Sequence, residues 1–304
     1  MESIAKLATE QTNAQSDTLD QMNALEIVML MNREDRTVAE SVEAALPRIA
    51  EAVDRIVERL RRGGRLLYIG AGTSGRLGVL DASECPPTFG IESDVVVGLV
   101  AGGMDAVVEA REGAEDDADA GAYDLRKQGL SADDIVVGLS ASGRTPYVAG
   151  ALTCAKDAGA GTIALSCNSD AEISKLADVA IEVPTGPEVL MGSTRLKAGT
   201  AQKMILNMLS TAVMVRLGKA YGNLMIDVKP TNVKLVDRAC RMLMNATGVD
   251  HETAETALQA AGRRAKVALV MLKTESTVEE AERRLEAANG FARLAIEGGE
   301  PHGA

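Results

Sequence analysis

Short hydrophobic runs alternate with amphipathic stretches through the middle of the chain. The runs rich in branched apolar residues, which predict β-strands, are residues 65–69, 94–100, 134–139, 161–166 and 178–183. Between them, apolar residues recur at the spacing of an amphipathic helix. Strands that alternate with helices are typical of a parallel, doubly wound sheet covered by helices on both faces. We therefore expect an α/β fold with a five-stranded parallel sheet.

Both ends of the chain show helical spacing without strand signals. Residues 17–61 predict two or three amphipathic helices. The later helices are expected at 196–217, 233–246, 250–273 with a break near Gly262, and 277–289. The chain is thus expected to have three parts: an N-terminal helical segment (1–60), a sheet domain (61–222) and a small C-terminal helical subdomain (223–304).

Two of the predicted strands run into turns of small residues that suit an anion. The turns are Gly70-Ala-Gly-Thr-Ser-Gly75 and Ser140-Ala-Ser-Gly-Arg-Thr145. Each brings backbone N–H groups and short hydroxyls to the start of a predicted helix, which carries about half a positive charge. The hydroxyls of the second turn favour a single phosphate ester. A dinucleotide site at the first turn, or two plain tight turns, are the alternatives.

The strand order decides whether the two turns serve one site. In the flavodoxin-like order 2-1-3-4-5, the first and third strands are neighbours. Their turns then meet at the carboxyl end of the sheet, where such folds bind ligands. If the sheet has this order, we expect a single site for a phosphorylated small molecule.

Composition narrows the classes of protein that fit. The 304 residues carry a formal net charge of -12, which argues against nucleic-acid binding because a phosphate backbone attracts a basic surface. No apolar run approaches the roughly 20 residues that cross a bilayer. Residues 1–6 lack the pattern of a signal peptide, so we expect a cytoplasmic protein without a membrane partner. Four single cysteines and two distant histidines make a zinc site unexpected.

Two glutamates could carry chemistry. Pro86 and Pro87 are expected to end the helix that follows the first turn, which would leave Glu84 on a turn at the ligand end of the sheet. A surface glutamate at a helix end is the alternative. Glu115 lies in the acidic stretch 111–117, which also fits a solvated helix face.

A third loop follows the fifth predicted strand and leads into the long helix. Arg195 and Lys197 could supply the local positive charge that a phosphorylated ligand needs in an acidic chain. Capping of the helix by Ser193 or Thr194, with solvated basic neighbours, is the alternative.

Taken together, these segments resemble one family over most of the chain. The motifs that carry the resemblance are residues 68–90, Glu112-Gly-Ala-Glu-Asp-Asp117, Ser142-Gly-Arg-Thr-Pro-Tyr147 and Gly192-Ser-Thr-Arg195. They are similar to those of the N-acetylmuramic acid 6-phosphate etherases, a family within the SIS domains that bind phosphosugars. One departure is Thr12, which stands in Thr9-Glu-Gln-Thr-Asn13 where the family pattern has arginine.

The resemblance implies a SIS-type fold, a homodimer with a site built across two subunits, and no metal ion or organic cofactor. It implies cleavage of the D-lactyl ether of N-acetylmuramic acid 6-phosphate, with Glu84 as proton donor and Glu115 as the second catalytic carboxylate, the expected base. The implied substrate-binding residues are Gly72, Thr73, Ser74, Ser140, Ser142, Thr145, Glu188, Arg195 and Lys197. A sugar-phosphate isomerase on the same fold, or a sugar-phosphate sensor without activity, are the alternatives.

Overall fold

The computed structural model describes residues 7–109, 111–228, 230 and 232–298. Five parallel strands form one sheet, which confirms the predicted fold class, and their order β2-β1-β3-β4-β5 is the flavodoxin-like one. The strands are β1 (Leu66–Gly70), β2 (Val96–Val100), β3 (Ile135–Ser140), β4 (Gly161–Ser166) and β5 (Val179–Glu182).

The central strands form because their apolar residues are buried on both faces of the sheet. Every residue of β1, β3 and β4 is buried. On one face, Leu67 and Ile69 share a core with the helices α4 (Ala118–Lys127) and α5 (Pro146–Asp157). On the other face, Tyr68 hydrogen-bonds to Asp81 of α2 (Gly72–Phe89). Side chains alternate along a strand, so helices cover both faces of the sheet.

The N-terminal part forms one helix, α1 (Ala24–Arg61), so the expectation of two or three helices is wrong. Its buried apolar stripe continues past Pro47, from Leu30 to Val57. Packing of this stripe, which includes contacts with β5, outweighs the hydrogen bond that the proline removes. The helix begins with a capping box between Asn23 and Glu26.

The remaining helices are short, except one. They are α3 (Asp105–Val108), α6 (Lys197–Arg216), α7 (Val233–Thr247), α8 (His251–Ala260), α9 (Ala265–Thr274), α10 (Val278–Ala287) and α11 (Ala292–Glu297). The break near Gly262 is confirmed, because α8 and α9 are separate helices. Helix α11 has no counterpart among the expected helices. In the described ranges, no helix has both the length and the hydropathy to cross a bilayer.

The chain divides into two compact units. The first comprises the described residues up to Ser83 together with those in Ser93–Ser210, and the second comprises Glu84–Glu92 and the described residues from Thr211 onward. The core of the second unit is built from residues such as Cys240, Leu243 and Leu269. The three-part division at residues 60 and 222 stays a prediction.

Candidate active site

The two small-residue turns lie side by side. Gly70 at the end of β1 pairs with Leu139 of β3, and neighbouring strands are about 4.8 Å apart. The turns after these two strands therefore start from adjacent positions at the carboxyl edge of the sheet. The expectation that the strand order brings them together is confirmed.

The first turn is compact because its glycines allow close backbone contact. A Cβ atom on Gly75 would lie 2.5 Å from the carbonyl oxygen of Gly70, so only glycine fits there. Ser74 is buried, and its hydroxyl donates a hydrogen bond to Oε1 of Gln202 on α6 at 2.9 Å. Gly72 is exposed at the beginning of α2. The neighbouring Thr73 is half-buried. Ser74 thus anchors the turn, while Gly72 presents backbone to solvent.

The second turn is a cluster of hydroxyls. Ser140 is buried, and its Oγ lies 2.7 Å from Oγ1 of Thr145 and 3.3 Å from Oγ of Ser142. The backbone N–H of Gly143 donates to Ser140 Oγ at 3.0 Å. Ser142 and Thr145 are half-buried, so they remain within reach of a ligand. The three predicted hydroxyl groups are therefore brought together around Ser140.

Glu115 and the first turn line the same cleft, which has a volume of about 310 Å³. Gly72 and Arg76 lie on its α2 side, and Arg111 and Glu115 belong to the segment after α3. Glu115 is exposed, in a short 3₁₀ helix. A carboxylate and two guanidinium groups are thus placed beside a turn with exposed backbone.

The expected position of Glu84 is wrong. Helix α2 continues through Pro86 and Pro87 to Phe89, so Glu84 lies within the helix, near its C-terminal end, and not on a turn beside the ligand loop. The prolines are tolerated because they lie near the C-terminal end of the helix, where their missing N–H groups remove hydrogen bonds from the last turns only. Gly90 closes the helix by donating its backbone N–H to the carbonyl of Pro86 at 2.9 Å. Glu84 is exposed.

Glu188 and Lys197 make internal contacts. Glu188 is fully buried, and its two carboxylate oxygens accept the backbone N–H groups of Lys197 and Ala198 at 2.9 and 3.0 Å. Burial raises the pKa of Glu188 although these amides oppose the shift. The Lys197 ammonium lies 2.8 Å from Oε2 of Glu34 on α1. The cap of α6 is therefore Glu188, not Ser193 or Thr194.

Arg195, in the same loop, is exposed. No hydrogen bond or ion pair joins its side chain to another of the described residues. Of the two cations expected in this loop, Arg195 is thus the one whose charge is accessible to a ligand.

The N-terminal segment is fixed to the loops that follow the strands. Thr9 is fully buried, and its Oγ1 accepts a hydrogen bond at 3.1 Å from Asn168, which follows β4. Asn13 donates to Glu34 Oε2 at 2.9 Å and to the carbonyl of Pro187. Thr12 lies between these anchors and is exposed. The position that departs from the family pattern is thus held at the ligand edge of the sheet.

Asp81 is a buried acid that sequence reasoning missed. It lies one helical turn before Glu84 on α2, and Ser210 of α6 donates to its Oδ1 at 3.1 Å. Burial raises its pKa, although hydrogen bonds from Tyr68 and Ser210 oppose the shift. The sequence did offer one indication, because Asp81 stands among apolar residues of the predicted helix. Arg76 was also missed, although a cation directly after a glycine-rich turn was visible in the sequence.

Among the described residues, no three His, Cys, Asp or Glu side chains form a group that could hold a metal ion.

The chain is similar to known proteins over nearly its whole length. Two family profiles match the chain: the glucokinase regulatory protein N-terminal SIS domain over residues 48–156 and the SIS domain over residues 117–212. A curated N-acetylmuramic acid 6-phosphate etherase from Mycolicibacterium smegmatis is 59% identical over 296 residues, which cover 97% of this chain and 99% of the relative. The chain belongs to the N-acetylmuramic acid 6-phosphate etherase family.

Other etherases of this family are similarly close. The etherase from Geobacillus sp. is 54% identical over 97% of this chain and 100% of its own length. Among solved structures, a phosphoheptose isomerase from Francisella tularensis aligns with 64% of this chain and 100% of its own, with a TM-score of 0.50 and 21% identity. That likeness concerns the SIS-type fold. The family resemblance expected from the motifs is confirmed.

Proposed function

We propose that this chain cleaves the D-lactyl ether of N-acetylmuramic acid 6-phosphate, giving N-acetylglucosamine 6-phosphate and D-lactate in the breakdown of cell-wall amino sugars. One observation carries the proposal: Glu115 lines the cleft of the first turn, in a chain whose full-length relatives are named as etherases of this substrate. A carboxylate beside an anion-binding turn fits proton abstraction from a bound sugar phosphate.

The elimination needs two proton transfers, and the rehydration needs one water molecule and two further proton transfers. In the open-chain sugar, the C2 proton is acidic because it lies next to the aldehyde. Glu115 removes this proton, and Glu84 protonates the ether oxygen as the bond to C3 breaks and D-lactate departs. Water then adds to C3 of the unsaturated aldehyde, and a proton returns to C2. Each positioned carboxyl group contributes about 10²- to 10⁴-fold in rate. The proposed steps are proton transfers and addition of water, which use no metal ion or organic cofactor.

The hydroxyl cluster of the second turn is proposed to hold the 6-phosphate. Ser140 orients the hydroxyls of Ser142 and Thr145, and these with Arg195 would donate to the phosphate oxygens. The first turn, Gly72 to Ser74, would support the sugar through its backbone and Thr73. Glu188 and Lys197, which were expected to touch the substrate, are proposed instead to position the third loop because their polar groups are engaged internally.

The active protein is proposed to be a cytoplasmic homodimer. Glu84 follows Gly72 by 12 residues on α2, which is about 18 Å along the helix axis, and the first turn of the helix carries the ligand loop. A monosaccharide held at that loop is much shorter than this distance. We therefore assign the Glu84 that serves a given loop to the second copy of the chain.

Product analysis separates this function from the two alternatives. The purified protein is incubated with N-acetylmuramic acid 6-phosphate, and D-lactate is measured enzymatically. Stoichiometric D-lactate and N-acetylglucosamine 6-phosphate are expected. Conversion of an aldose phosphate to a ketose phosphate without lactate would indicate an isomerase, and saturable binding without turnover would indicate a sensor. Either result would contradict the proposal.

A further inference from the structure

We propose that Arg76, assisted by Arg111, forms a carboxylate-binding subsite that recognises the lactyl group of the ether substrate. This subsite rests on the proposed function and adds to it a determinant of specificity. It lies in the cleft of about 310 Å³ that contains Glu115.

The two terminal guanidinium nitrogens of Arg76 have no acceptor among the described residues. Its Nε donates to the carbonyl of Val107 at 3.0 Å, which fixes the plane of the guanidinium. In the described part of the chain, its two terminal nitrogens form neither a hydrogen bond nor an ion pair. Arg76 is half-buried and lines the cleft. An oriented guanidinium with two unused nitrogens is suited to bind a carboxylate.

Arg111 supplies a second positive charge to the same cleft. Its aliphatic part packs on the backbone of Gly102, where a Cβ atom would lie 3.0 Å from Arg111 Cδ. Its Nη2 lies 2.8 Å from Oδ2 of Asp105, in a pair whose side chains are 53% and 83% exposed. Such an exposed pair is weak, so a ligand carboxylate can replace Asp105 as the partner.

The carboxylates of the cleft do not neutralise these cations. Glu112 and Glu115 also line the cleft, but neither forms an ion pair with Arg76 or Arg111 among the described residues. Glu115 is therefore available for proton transfer, while the arginines are available for an anion from outside.

The role proposed for Glu115 identifies that anion. Glu115 acts at C2 of the sugar, so the substituent beside it is the one on the neighbouring carbon, C3, which is the lactyl ether. The 6-phosphate is three carbons further along the sugar and reaches the hydroxyl cluster around Ser140. The strand pairing of Gly70 with Leu139 places the two anion sites next to each other, as a substrate with two anionic ends requires.

The subsite also explains how product could leave. After the ether bond breaks, the carboxylate belongs to D-lactate and is no longer attached to the sugar. N-acetylglucosamine 6-phosphate then lacks the group that Arg76 binds, so it is held less tightly than the substrate.

The test compares two substrates in one variant. The kcat/KM for D-lactate release from N-acetylmuramic acid 6-phosphate, and for lactamide release from its uncharged lactamide analogue, are measured for the unaltered protein and for Arg76→Met. The matched control is Arg126→Met, since Arg126 is an exposed arginine on α4 outside the cleft. We expect Arg76→Met to lower kcat/KM for the carboxylate substrate by about 10- to 100-fold. Its kcat/KM for the lactamide is expected to stay within about twofold.

Because both substrates are measured on one preparation, partial unfolding of the variant cancels from their ratio. Arg76→Lys keeps the positive charge but lacks the paired N–H donors of the guanidinium. Compared with Arg76→Met, it is expected to recover part of the preference for the carboxylate substrate over the lactamide. Equal losses on both substrates in Arg76→Met would overturn the subsite alone. Failure of the unaltered protein to release lactate would overturn the proposed function and the subsite with it.

Discussion

Oε2 of Glu188 accepts the backbone N–H of Lys197 at 2.9 Å, so a fully buried acid closes the N-terminus of α6. The first amides of a helix have no partner within it, and a buried amide without an acceptor is costly. This contact joins the loop after β5 to the helix that supports Ser74 through Gln202. The third loop is thus positioned by its own buried carboxylate.

Replacement of this cap is expected to destabilise the protein. Glu188→Ala leaves the amides of Lys197 and Ala198 buried without acceptors, and we expect the free energy of unfolding to fall by about 2 kcal/mol or more. Urea denaturation followed by circular dichroism measures the change. Glu43→Ala, which alters an exposed residue of α1, is the matched control and is expected to change stability by less than about 0.5 kcal/mol. Equal stability of the two variants would contradict the capping role.

The buried Asp81 is expected to make stability depend on pH. Because burial raises its pKa above the ordinary 3.8, the folded protein binds more protons than the unfolded chain between that value and the raised pKa. The contribution of Asp81 to stability therefore falls as pH rises through this window. Asparagine does not titrate, so Asp81→Asn lacks this loss. We therefore expect the melting temperature of Asp81→Asn minus that of the unaltered protein to increase from about pH 4 to about pH 7.

Thermal unfolding of both proteins across this range checks the sign. Tyr68 from β1 and Ser210 from α6 are the side chains that hydrogen-bond to Asp81 in this account, and neither is an acid or a base of the kind that ordinarily titrates in this range. A difference in melting temperature that shrinks as pH rises would show that Asp81 is stabilised as a carboxylate.

Ser140 is expected to organise phosphate binding. Ser140→Ala removes the oxygen that joins Thr145, Ser142 and the amide of Gly143, so the loop hydroxyls lose their orientation. We expect KM for the phosphosugar to rise roughly 5- to 30-fold, since each lost hydrogen bond to a charged group costs about 1–2 kcal/mol. Steady-state kinetics measures it. Thr153→Ala, on an exposed face of α5, is the control. An unchanged KM for Ser140→Ala would remove this loop from phosphate binding.

The sheet and its loops could be predicted from the sequence because both rest on local patterns. Hydrophobic runs and small-residue turns predicted the strands and the two loops, and the flavodoxin-like order of such folds predicted that these loops lie side by side. The C-terminal end of α2 could not be predicted in this way. Pro86 can stand in the last turns of a helix or end the helix before it, and the local sequence does not decide between the two. The roles of Glu188 and Lys197 also depend on tertiary contacts, since only the fold brings Glu34 to Lys197. In the sequence alone, charged residues that make internal contacts look the same as charged residues that bind a ligand.

Mixed dimers test whether the site is shared between subunits. Glu84→Gln and Glu115→Gln are each expected to abolish lactate release. When the two variants are combined in equal amounts, half of the randomly formed dimers carry one intact site, so about a quarter of the unaltered activity is expected. Co-expression with two affinity tags followed by a lactate assay measures this. Absence of activity in purified mixed dimers would place both glutamates of a site in one chain.

Isotope labelling tests the central claim most directly. The protein is incubated with N-acetylmuramic acid 6-phosphate in heavy-oxygen water, and both products are analysed by mass spectrometry. Elimination followed by addition of water at C3 predicts one heavy oxygen in the C3 hydroxyl of N-acetylglucosamine 6-phosphate and none in the hydroxyl of D-lactate. Label in the lactate hydroxyl, with unlabelled sugar C3, would contradict cleavage between C3 and the ether oxygen.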